Sequence, residues 1–84
     1  MSTFAAALEP LRRRMERVKL PESFVRELLA AQATISLNDA AMRWAGMPNK
    51  NERAALHEVL EALANAGFLR AEGNERWIVL REPD

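Results

Sequence analysis

Residues 63–80, "LANAGFLRAEGNERWIVL", decide how this chain folds. An apolar pattern of helical period stops at Gly67, and two short β-prone runs follow around Gly73-Asn74. Gly67 can take the left-handed conformation that ends a helix. Phe68, the next residue, can then fold back on Leu63 in the hydrophobic contact of a Schellman motif. Phe68–Glu72 and Glu75–Arg81 read as the arms of a hairpin. With glycine first in the Gly73-Asn74 pair, a type II′ two-residue turn is expected. That register sets Ala71 opposite Arg76, Arg70 opposite Trp77 and Leu69 opposite Ile78. The tail, Arg81–Asp84, reads as frayed.

Working upstream, Asn49 followed three residues later by Glu52 is a capping pattern for the long helix that reaches Ala66, with Leu56, Val59, Leu60 and Leu63 on its buried side. Before it, Thr34-Ile35 is a short β-prone piece. Ser36 and Asp39 cap a helix of about nine residues whose apolar face is Leu37, Ala40, Ala41 and Trp44, and Gly46 and Pro48 close it. Pro21 opens the preceding helix, with Glu22 in its first turn and Phe24, Val25, Leu28 and Leu29 packing inward. At the N-terminal end, Phe4, Leu8, Leu11, Met15 and Val18 recur in steps of four and three, which forms a seam on one side of a helix. Pro10 either starts a shorter helix near Glu9 or kinks a longer one. The opposite side carries Arg12, Arg13, Arg14 and Arg17.

The 84 residues hold one small core, with no cysteine to reinforce it by disulfide or thiolate–metal bonding. Twelve Lys and Arg balance twelve Asp and Glu. The distribution is uneven: residues 1–20 carry five positive and two negative side chains, and residues 21–84 carry seven positive and ten negative. A surface that seeks polyanions therefore includes the N-terminal segment or is a local patch. No apolar run approaches the roughly 20 residues of a membrane span, and no secretory signal is visible, so a cytoplasmic protein is expected.

Helix, short strand, helix, tight turn, long helix, glycine and hairpin, in that order, resemble the winged helix-turn-helix family over residues 21–81. The segment "VLEALANAGFLRAEGNERWIVL" is similar to the family's passage from recognition helix to wing, and "LNDAAMRWAGMPNKNERAALHEVLEAL" to its helix-turn-helix. The expected fold is α+β, mostly α: a winged helix at 21–84, with a three-helix core, a short β-strand and a C-terminal two-stranded wing, preceded by an extra basic amphipathic helix at 1–20. The resemblance implies that the second helix of the pair enters the major groove of duplex DNA while the wing touches backbone or minor groove. Asn49, Lys50, Asn51, Arg53, Ala54 and His57 would face the groove, and Arg70, Arg76 or the Gly73-Asn74 tip would supply wing contacts. Arg and Asn are shaped for bidentate readout of guanine and adenine. Arg12, Arg13, Arg14 and Arg17 are candidate phosphate or partner contacts, their alternative being a solvated helix face.

The expected function is that of a small DNA-binding protein, a transcriptional regulator or accessory factor, acting as a homodimer through the Phe4/Leu8/Leu11/Met15/Val18 seam and reading a near-palindrome. The alternative is a winged helix used as a protein-binding module in a larger assembly. It is favoured by Glu72 and Glu75 flanking the wing tip and by Glu52, Glu58 and Glu61 on the long helix. No cofactor, metal or catalysis is expected, because the one histidine, His57, has neither a nucleophile nor further ligands marked beside it. Trp44 and Trp77 read as core residues.

Overall fold

The computed structural model describes residues 3–84. The chain is α+β and mostly helical, in the layout of a winged helix. Its helices are α1 (Phe4–Leu8), α2 (Arg12–Val18), α3 (Glu22–Ala31), α4 (Leu37–Ala45) and α5 (Lys50–Asn65). Its strands are β1 (Thr34–Ser36), β2 (Leu69–Gly73) and β3 (Arg76–Val79), in the antiparallel order β1-β3-β2.

The junctions follow from local chemistry. Pro10 lies in a 3₁₀ turn, Glu9–Leu11, that divides the N-terminal segment into α1 and α2, as expected where proline removes a backbone donor and crowds the preceding turn. Asn49 and Glu52 form a reciprocal capping box at the start of α5, with both bonds at 2.8 Å. At the other end of α5, Gly67 has φ +91°. The Phe68 N–H donates to the Leu63 carbonyl at 2.9 Å and the Gly67 N–H to the Ala64 carbonyl at 3.1 Å, which is the Schellman pair. The end of α2 repeats this bonding with Lys19 at φ +60° in place of glycine.

The hairpin differs from the expected one by a single residue. Its turn is Asn74-Glu75, both with positive φ as in a type I′ turn, and Gly73 pairs with Arg76. Leu69 then faces Val79, Arg70 faces Ile78 and Ala71 faces Trp77, with Glu72 bulged out between Ala71 and Gly73. The cause is the core. On β3, Trp77 is buried and pairs with the buried Ile35 of β1, and Leu69 of β2 is buried as well. Partners in an antiparallel pair share a face, so Leu69 and Trp77 share one only in the observed register. The type II′ register would place Arg70 beside the indole. The bulge at Glu72 reconciles this pairing with the loop length. Glu75 adopts a left-handed conformation unusual for a side-chain-bearing residue, and its carbonyl accepts the Leu37 N–H at 2.9 Å, tying the turn to the start of α4.

One core runs through the molecule: Val25, Leu28 and Leu29 from α3, Leu37, Ala40 and Ala41 from α4, Leu56, Val59, Leu60 and Leu63 from α5, with Phe68, Leu69 and Trp77 from the junction and sheet. The N-terminal seam belongs to it. Phe4, Leu8 and Met15 are buried, Leu11 and Val18 pack at its edge, and α1 and α2 both lie against α5. Within the chain this seam covers α5 and the glycine-to-wing junction, where the Phe4 and Phe68 rings meet edge to face at 5.4 Å. Trp44 is only partly buried, and its indole N–H donates to the Lys19 carbonyl at 3.3 Å. The tail is held rather than frayed. Leu80 N–H donates to the Phe68 carbonyl at 2.8 Å, and the Asp84 carboxylate accepts the Phe4 N–H at 2.8 Å.

Candidate nucleic-acid interface

Capping, periodicity and packing together decide what α5 shows to solvent. Its Leu56/Leu60/Leu63 face is buried, which leaves Lys50, Asn51 and Ala54 exposed and His57 and Arg53 half-buried beside them. The structure therefore brings the groove-facing residues expected from the sequence together on one side of one helix, at its N-terminal end. Asn49 is an exception in role: its side chain accepts the Glu52 N–H as the helix cap.

Arg53 Nη2 donates to Asn38 Oδ1 of α4 at 2.7 Å. The two helices of the helix-turn-helix are thus tied by the same guanidinium that was expected to read a base. One turn further on, the His57 imidazole sits edge to face on Trp77, with centroids 5.6 Å apart, and its Nε2 lies 3.9 Å from Glu61 Oε1. Among the described residues no cluster of three or more His, Asp and Glu side chains is placed to hold a metal ion.

The outer face of α5 divides two hollows. One, of about 360 Å³, lies toward the wing and α4 and is lined by Leu37, Arg53, Ala54, His57, Glu58 and Glu75. The other, of about 480 Å³, lies between α2 and the start of α5, lined by Arg14, Arg17 and Lys19 on one side and Asn49, Asn51 and Glu52 on the other. Two groups expected separately from the sequence, the basic N-terminal residues and the start of α5, are thereby adjacent.

The four N-terminal arginines divide by role. Arg12 pairs with Glu9 and Glu22. Arg14 Nε lies 3.1 Å from Glu58 Oε2, offsetting a carboxylate on the outer face of α5. Arg13 and Arg17, one helical turn apart, make no ion pair among the described residues, nor do Lys19, Lys50 and Arg76. On the wing, Arg70 Nε pairs with Glu72 Oε2 at 2.9 Å.

Sequence reasoning missed a cluster that fixes the N-terminal segment. Glu22 accepts from Arg12 and, at 2.7 Å, from Arg26, and Arg26 also donates to the Asp84 carbonyl at 2.9 Å and lies over the Phe4 ring. Burial pushes the Glu22 carboxyl up, but the hydrogen bonds from Arg26 and Arg12 outweigh it and hold the group below its ordinary value. The Asp84 carboxyl is likewise held low, chiefly by the Phe4 N–H. Only the Glu22/Arg26 spacing, four apart on a helix, was visible in the sequence. No helix among the described residues is long and apolar enough to cross a membrane.

No family model, no curated protein and no solved structure matches the chain.

Proposed function

We propose that this chain is a winged-helix protein that binds duplex DNA through the N-terminal half of α5 and acts by occupying DNA, as a regulator or accessory factor does, rather than by catalysis. The observation that carries the reading is the solvent-facing end of α5. Lys50, Asn51 and Ala54 project from the first turns of a capped 16-residue helix whose other face is buried, while α4 is braced against it by Arg53 and Asn38. The first residues of a recognition helix are those that meet base edges in the major groove. Arg, Lys and Asn there supply both phosphate affinity and base readout.

A second reading, a protein-binding module, is favoured by the wing. Glu75 sits in its tip, Glu72 lies two residues before the turn, and Arg70 is paired with Glu72, which suits a protein partner better than a phosphate backbone.

An electrophoretic shift against random duplex DNA at low and moderate salt separates the two. Retention that weakens steeply with salt is expected of the DNA reading. Absence of retention even at low salt overturns it and favours the protein module.

A further inference from the structure

We infer that the DNA backbone is gripped by the α2 flank of the recognition helix, through Arg13, Arg17 and Lys19, and that the wing takes no part in phosphate binding. This rests on the DNA-binding reading above and deepens it by fixing which side of α5 meets the duplex. Residues 12–19 hold five cationic side chains against one carboxylate, Glu16. Internal pairing removes Arg12 and Arg14 from that set, leaving Arg13, Arg17 and Lys19 with no ion pair among the described residues. Arg13 and Arg17 stand one turn apart on the same side of α2, and Arg17 and Lys19 line the hollow beside Asn51. The Arg14–Glu58 pair joins α2 to the exposed side of α5. A duplex whose major groove receives Lys50 and Asn51 therefore meets this row on one flank of the helix.

The wing presents the opposite balance. From Leu69 to Arg76 two cations face two carboxylates, and one of the cations is already bonded to Glu72. Its tip bears Glu75, whose backbone is tied to Leu37. A phosphate approaching this hairpin meets repulsion nearly equal to attraction.

The test compares the salt dependence of duplex binding for the full chain, for the triple variant Arg13→Gln/Arg17→Gln/Lys19→Asn, and for the wing variant Arg70→Gln/Arg76→Gln. Asparagine is chosen at position 19 because it tolerates the left-handed backbone there, and a thermal melt of each variant confirms folding. The slope of log K against log salt is expected to shrink by about 0.9 for each phosphate that is no longer neutralised, so by about 2 to 3 in the triple variant, and to stay unchanged in the wing variant. A slope that falls in the wing variant and not in the triple variant overturns the inference while leaving DNA binding standing. Equal slopes in all three also overturn it. If the unaltered chain fails to bind duplex DNA at all, the functional reading itself fails, and the inference with it.

Discussion

Arg53 on α5 and Asn38 on α4 share a hydrogen bond of 2.7 Å from Nη2 to Oδ1. The bond sets the two helices of the helix-turn-helix against each other, and it occupies one edge of a guanidinium that needs two donors for bidentate contact with guanine. Base readout by Arg53 thus requires either its remaining donors or a rotamer change that releases Asn38.

Asn38→Ala is expected to leave the fold intact, since the bond is exposed, and to free Arg53. Under the DNA reading, Arg53→Ala should lose about 1–3 kcal/mol at a preferred site and blur its sequence preference, whereas Lys50→Ala should weaken all sequences alike. Binding titrations on a preferred and a scrambled duplex check this. Retention untouched by both single changes in α5 removes the recognition-helix assignment.

Phe68 is the pivot between α5 and the wing, fully buried against Phe4 and with the Arg81 guanidinium 3.8 Å from its ring centre. Phe68→Ala should cost about 3–5 kcal/mol, a large part of the roughly 5–15 kcal/mol typical of a domain. Chemical denaturation measures it, and an unaltered midpoint would show that this junction does not hold the core.

Acid should loosen the N-terminal segment first. Glu22 and Asp84 have folded-state pKa values below their ordinary ones, so the unfolded chain takes up protons before the folded chain does. Their contribution is fully present above the ordinary carboxylate range and is lost as the pH falls through it toward the depressed folded values. Denaturant midpoints are expected to drop between about pH 6 and about pH 3, and Glu22→Gln should flatten that drop. An equally steep fall in Glu22→Gln would assign it to other carboxylates.

With its apolar seam inside its own core, the chain is expected to sediment as a monomer in the absence of DNA. A version beginning at Lys19 should melt earlier because Phe4, Leu8 and Met15 no longer cover α5. A concentration-dependent dimer of the full chain that disappears on truncation would instead assign this segment an intermolecular role.

Where the sequence was legible, the signal was local. Asn49, Glu52, Gly67 and Phe68 specify the two ends of α5 through atoms at most a few residues apart, and Ser36 does the same for α4. What escaped depends on distant groups. The Phe4-to-Val18 periodicity states that one face must be covered but not by what. The pairing register depends on burying Trp77 with Leu69, which the turn residues alone do not encode. Among the candidate site residues, position on the exposed face of α5 was readable from its apolar stripe. The division of the arginines was not, because the Arg12–Glu22 and Arg14–Glu58 pairs join separate helices.

The bulge at Glu72 bears on polymerisation. β2 is an edge strand, and its outer row of N–H and C=O groups could template a strand from another molecule. Glu72 breaks the regular spacing of that row and places a charge on it, next to Arg70. Deleting Glu72 would straighten the edge, and such a variant is expected to form β-rich aggregates at concentrations where the parent chain stays clear, as thioflavin fluorescence and light scattering would record. In that outcome a single residue that looks like a defect in the hairpin is what keeps the molecules apart.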